Sequence, residues 1–143
     1  MVSKLFAAWC LTALCVAIHA GGLAGALRQL RRYPASLATR FWPATWLFVL
    51  IAAWMVLLHL AEIGVWAVFY TWKGAMADLP SALYFSAVTY TTTGYGDLVL
   101  PEEWRLVGGV ETLIGILMCG WSTGFFMTVV NRLYDPTNRT ART

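Results

Sequence analysis

Three long apolar runs, at residues 5–27, 41–72 and 104–132, leave this chain few ways to fold. Each has the length needed to cross the roughly 30 Å hydrocarbon core of a bilayer. A backbone at that depth must satisfy its own hydrogen bonds, and an α-helix does so within one segment. The expected fold class is therefore an all-α membrane protein with three spans. Composition agrees, with 59% of residues hydrophobic and only 12% charged, a balance that no soluble domain of this size carries. The charges that exist are sorted. Arg28, Arg31, Arg32 and Arg40 share the hydrophilic segment 28–40, while Arg132, Arg139 and Arg142 lie near the other end of the chain. Asp78, Asp97, Glu102 and Glu103 fall between the second and third runs and form an acidic loop. Lysine and arginine mark cytoplasmic loops, so both arginine segments and a short tail at 134–143 are expected inside and the acidic loop outside, where it concentrates cations. An N-terminal helix at 1–27 then starts outside and ends at a basic linker, 28–40. The same run, with Lys4 near its start and Ala17-Ile18-His19-Ala20 further on, has the outline of a secretory signal. Cleavage there would leave the arginines outside, against the charge pattern, so the helix is expected to be retained as a transmembrane span, with an interfacial or re-entrant helix as the alternative.

The acidic loop contains Thr91-Thr92-Thr93-Gly94-Tyr95-Gly96-Asp97, and a short amphipathic segment beginning at Pro80 leads into it. This stretch resembles the selectivity-filter signature of potassium channels. Residues 41–133 are similar to the pore domain of bacterial two-transmembrane-helix potassium channels, here preceded by one extra transmembrane helix. The resemblance implies an outer helix at 41–72, a pore helix at 80–91, a filter at 92–97 and an inner helix at 104–132. It also implies a homotetramer in a bacterial inner membrane, because one chain carries one filter loop and the ring needs four. In such a ring the backbone carbonyls of Thr92, Thr93, Gly94 and Tyr95 replace the hydration shell of a K+ ion, and the Thr92 hydroxyl adds a lower ring. Gly94 and Gly96 are needed for backbone geometry, since glycine reaches positive φ without steric cost. Tyr95 is expected to point away from the axis, with Tyr84 and Phe85 as aromatic partners. The family usually carries Val or Ile where Thr93 stands, and another β-branched residue of that size keeps the geometry. It often carries Glu where this chain has Val88, so the pairing of that Glu with the filter Asp does not carry over. Asp97 is expected to find Trp104 or a pore-helix hydroxyl instead.

Two acids stand inside apolar runs, Glu62 and Glu111. His59, Glu62, Trp66 and Phe69 recur at helical spacing, and an ionisable group facing lipid is expensive, so that face is expected to turn toward protein. Glu62 reads as a hydrogen-bonding support behind the filter or as a protonation switch. Glu111 reads as a second such brace in the same layer, and an effect of acid pH on opening through both is one hypothesis. His59 and Glu62 at i, i+3 also match half of a di-iron motif, without its counterparts. Trp42 and Trp46 suit the inner membrane interface and Trp66, Tyr70 and Trp72 the outer one. By resemblance, Leu113, Leu117, Gly120, Gly124 and Thr128 line a water-filled cavity, Gly115 or Gly120 is a hinge, and residues 125–128 form a constriction or pack on the outer helix. Gly21 and Gly25 form a small-xxx-small pair suited to close helix packing. Arg28, Arg31 and Arg32 are too few and too polar in context for a voltage sensor and suit, with Arg40, anionic lipid headgroups. The three cysteines, Cys10, Cys15 and Cys119, lie in apolar runs and read as small fillers. No catalytic constellation, cofactor beyond K+, nucleic-acid partner or regulatory domain is expected, so gating is intrinsic to the pore or supplied by a partner. A non-selective cation channel and a non-conducting membrane protein with a relic pore are the alternatives.

Overall fold

A computed structural model describes residues 2–32 and 40–134. Residues 33–39 of the expected linker and 135–143 of the expected tail, including Arg139 and Arg142, lie outside the described residues. The described chain is all helical: α1 (Val2–Leu30), α2 (Phe41–Trp72), the short α3 (Leu79–Tyr90), a 3-10 turn (Glu102–Trp104) and α4 (Arg105–Tyr134). Three of these segments, within α1, α2 and the turn with α4, are long and apolar enough to cross a membrane.

Local chemistry sets the ends. α1 continues past the apolar run to Leu30, with Arg28 in its last turn where a cation complements the exposed carbonyls. Pro43 sits in the first turn of α2, where no intrahelical amide donor is required. α2 stops in a Schellman turn. Gly74 takes φ 64° there. Its N–H reaches Thr71 O at 3.1 Å, and the Ala75 N–H reaches Tyr70 O at 2.9 Å. Asp78 caps α3 by accepting the Ser81 N–H at 2.8 Å, and Pro80 fits the first turn.

α1 runs alongside α2 and α4 and contributes to two cores. At the end nearer the 91–99 loop Ala8 and Cys15 join Trp66, Tyr70, Phe85, Tyr90, Trp104 and Met118. At the other end Leu23 and Leu30 join Leu47, Ile51, Leu58, Phe125, Val129 and Leu133. α3 is wedged between α2 and α4.

Several expectations change here. Trp66 and Tyr70 are fully buried and so are no interface belt. Tyr70 stacks edge-on to Phe85 at 5.5 Å, and only Trp72 of the three is exposed. A Cβ added at Gly21 or Gly25 would meet nothing within 4 Å in the single chain. The close approach of α1 to α2 is at Gly22, where an added Cβ would collide with the Leu58 side chain and where Trp54 Nε1 donates to the Gly22 carbonyl at 3.1 Å. Gly115 is no free hinge, because an added Cβ would overlap the Tyr90 backbone carbonyl. Phe125 is buried in the core shared with α2 and Phe126 lies 5.5 Å from Phe48, so these two aromatics pack on α2, while Met127 and Thr128 are exposed.

Candidate functional site: the loop after the short helix and its polar support

α3 ends in a second Schellman turn, and the glycine-rich segment grows directly out of it. The Thr92 N–H reaches Thr89 O at 3.0 Å, and the Thr93 and Gly94 N–H groups converge on Val88 O at 2.9 and 3.2 Å. The left-handed residue that the turn requires is Thr92, at φ 62°. A β-branched residue rarely adopts that conformation, and holding one there costs about 1–3 kcal/mol. Gly94 and Gly96 follow at φ 55° and 78°. Thr91 Oγ1 donates to Ala87 O at 2.7 Å and lies 3.0 Å from Thr93 Oγ1. Residues 91–99 are exposed in the single chain.

The two aromatics expected beside Tyr95 have other partners within the chain. Phe85 packs on Tyr70, and the Tyr84 hydroxyl donates to Asp97 Oδ2 at 2.7 Å. Asp97 thus meets a hydroxyl of the short helix, while Trp104 packs against Phe69 at 5.7 Å. The Tyr84 phenol, assisted by the backbone amides of Asp97 and Leu98, holds the Asp97 carboxyl below its usual range. A carboxyl with a depressed folded pKa adds stability above its unfolded value and loses it as pH falls through the folded value. Tyr84→Phe is therefore expected to move the Asp97 titration upward, toward its ordinary 3.8. A carboxyl-resolved NMR titration measures this, and an unmoved curve would refute the coupling.

Behind the loop, the buried acids are tied to different elements. Glu111 on α4 accepts from Tyr70 of α2 at 2.8 Å and from the Ser86 hydroxyl of α3. Ser86 Oγ also lies 3.1 Å from the Ile63 carbonyl. Glu62 on α2 accepts from the Tyr90 hydroxyl at the end of α3 and sits 2.8 Å from His19 Nδ1 of α1. The bonds continue through Ser122 of α4 and His59 back to Tyr90, so five side chains close a ring that joins all four α-helices. Sequence reasoning missed His19, Tyr90 and Ser122 as members of this ring. An ionisable residue within an apolar run was the available signal for His19.

Near the glycine-rich loop Lys4 pairs with Glu103 at 2.7 Å and lies 4.3 Å from the Trp104 ring centroid, which fixes the start of α1 beside the acidic loop. Three of the expected acidic-rim residues are thus engaged, Asp78 as a helix cap, Asp97 with Tyr84 and Glu103 in this pair. Arg28, Arg31, Arg32 and Arg40 are exposed at the opposite end. The stripe Leu113, Leu117, Gly120, Gly124 and Thr128 is exposed along α4.

A short helix and its glycine-rich turn, held between two spanning helices, define a pore-loop membrane protein. Residues 44–132 match the family described as ion channel, and the chain belongs to that family. Potassium voltage-gated channel protein Shal of Drosophila melanogaster is 36% identical over 64 residues, covering 43% of this chain and 11% of its own length. Potassium voltage-gated channel protein shk-1 of Caenorhabditis elegans is 35% identical over 65 residues, covering 45% of this chain and 12% of its own length. The chain thus spans about a tenth of the length of these curated relatives. No solved structure matches it significantly.

Proposed function

We propose that the chain is a potassium-selective channel subunit that works as a homotetramer and conducts K+ passively across a cell membrane. The observation that carries this reading is the exposed Thr-Thr-Gly-Tyr-Gly segment at 92–96, anchored to the end of α3 and carrying positive φ at Thr92, Gly94 and Gly96. Its carbonyls from Thr92 to Tyr95 are the proposed K+ ligands. A coordinating ring takes four such loops and this chain has one, which is the argument for four copies. The exposed stripe at Leu117, Gly120, Gly124 and Thr128 suits a surface facing the shared axis. The potassium-channel names of the two relatives point the same way.

Glu62, Glu111, Asp97, Tyr84 and Phe85 act in this reading as supports of the filter, each through the partner described above. The exposed arginines at 28, 31, 32 and 40 suit anionic lipid headgroups on the cytoplasmic side, which turns the filter mouth outward in a bacterial inner membrane and leaves the C-terminus inside. Gating belongs to the pore itself or to a further partner.

The test is reversal potential in a planar bilayer holding the purified protein, with K+ on one side and Na+ on the other. Reversal near the K+ equilibrium potential, with block by Ba2+, is the expected result. Reversal near zero would replace the reading by a non-selective cation channel. Silence from a verified tetramer would favour a non-conducting relic.

A further inference from the structure

The ring behind α3 has the construction of a transition-metal site. His59 and Glu62 lie one turn apart on α2, and His19 supplies the counterpart from α1, with one ligand atom of each within 4.8 Å of the others. The orientation of the two imidazoles is the informative part. His19 Nδ1 lies 2.8 Å from Glu62 Oε1, and His59 Nδ1 lies 3.1 Å from the Tyr90 hydroxyl, which in turn bonds Glu62 Oε2. Both Nδ1 atoms therefore face the carboxylate and the phenol. Both Nε2 atoms face one atom on the other side, Ser122 Oγ, at 3.1 Å each.

Histidines that bind metals commonly donate their second ring N–H to an outer partner, which fixes the tautomer and the ring plane. A hydroxyl oxygen has two lone pairs and can accept from both rings. We propose that His19 Nδ1, His59 Nδ1 and a Glu62 carboxylate oxygen bind a zinc-class divalent cation, with the Tyr90 phenol at the fourth position and Ser122 as the shared outer acceptor. Two imidazoles with oxygen donors and no thiolate suit zinc, and the tetrahedral count is met by four groups already gathered. In the single chain His59 is partly buried, while His19 and Glu62 are fully buried.

The protons balance as follows. Without metal, the ring's five hydrogen bonds use one proton each: one from Tyr90, one from Ser122, one from each imidazole and one shared between Glu62 and His19. Metal replaces the shared proton, and both imidazoles then carry their remaining proton on Nε2 toward Ser122. Binding thus releases one proton to solvent, or two when Tyr90 ligates as phenolate and leaves the buried site neutral. The cation would clamp α1 to the residue immediately before Thr91. The site itself does not depend on which ion the pore conducts.

The test uses the full chain in detergent, free of any affinity tag, with Co2+ as spectroscopic probe and Zn2+ as competitor. Saturable visible bands of a tetrahedral site at one Co2+ per chain, bleached by Zn2+ and accompanied by proton release in weak buffer, are expected. His59→Gln should abolish the bands, and Ser122→Ala should weaken binding roughly 10–100-fold. His19→Gln is the second ligand test, and the part-exposed His59 position carries the argument where His19→Gln fails to fold. Absent bands in the folded wild type at millimolar Co2+, or unchanged bands in folded His59→Gln, would overturn the proposal and leave a hydrogen-bonded ring alone.

Discussion

Gly115→Ala is expected to lower the thermal unfolding midpoint of the detergent-solubilised protein by several degrees and, in the proposed channel, to abolish conduction. An alanine Cβ at this position overlaps the Tyr90 carbonyl oxygen, and it would stand 2.8 Å from the carbonyl carbon and 3.1 Å from the Tyr90 Cα. These are main-chain atoms at the last turn of α3, so no rotamer change relieves the clash. Overpacking of a filled interior costs about 1–3 kcal/mol, and an obstacle made of backbone belongs at the upper end. The clash is relieved by moving α3 and α4 apart, and the glycine-rich segment is bonded to the final carbonyls of α3. Gly120→Ala and Gly124→Ala, which meet nothing within 4 Å, are the matched controls and should unfold near the wild-type temperature. A Gly115→Ala protein that melts and conducts like wild type would remove close packing as the reason for this glycine.

The second large effect is expected at Glu111. This carboxyl is fully buried and holds Tyr70 of α2 and Ser86 of α3 to α4. Glu111→Leu keeps much of the volume and removes both acceptor oxygens. Each hydroxyl left unpartnered in an apolar surround costs about 1–3 kcal/mol, although Ser86 retains the Ile63 carbonyl within reach and so suffers less. Glu111→Gln keeps an acceptor and should retain most of the stability, because either hydroxyl can rotate to accept from the new amide. Unfolding midpoints of both variants beside Tyr70→Phe read this directly. If Glu111→Leu matched Glu111→Gln, the carboxylate would be filling space rather than joining helices.

The spanning helices and the glycine-rich loop were legible in the sequence because each follows from a local rule. An apolar run of bilayer length must be helical, and glycines after a short helix permit an unusual backbone. What escaped reading depends on how helices are rotated against each other. Gly21, Gly22 and Gly25 are equivalent in composition, and only the docking of α1 on Leu58 and Trp54 singles out Gly22. His19 meets Glu62 across 43 positions of sequence, a distance no periodicity spans. Trp66 and Tyr70 looked like interface aromatics by type and depth, yet they lie on the side of α2 that faces α3 and the core. Asp78 was readable as a cap, since it stands just before Leu79-Pro80-Ser81, yet its charge fits the acidic loop around it equally well.

The two Schellman turns differ by one residue, and the difference has a consequence for how this segment can vary. The turn after α2 places Gly74 in the left-handed position, and the turn after α3 places Thr92 there. In the proposed pore the same threonine contributes a carbonyl and a hydroxyl to the innermost ion site. Its backbone therefore favours one amino acid and its ion chemistry another. Position 92 is a point where folding and conduction compete for a single side chain, and the threonine found there records which of the two prevailed.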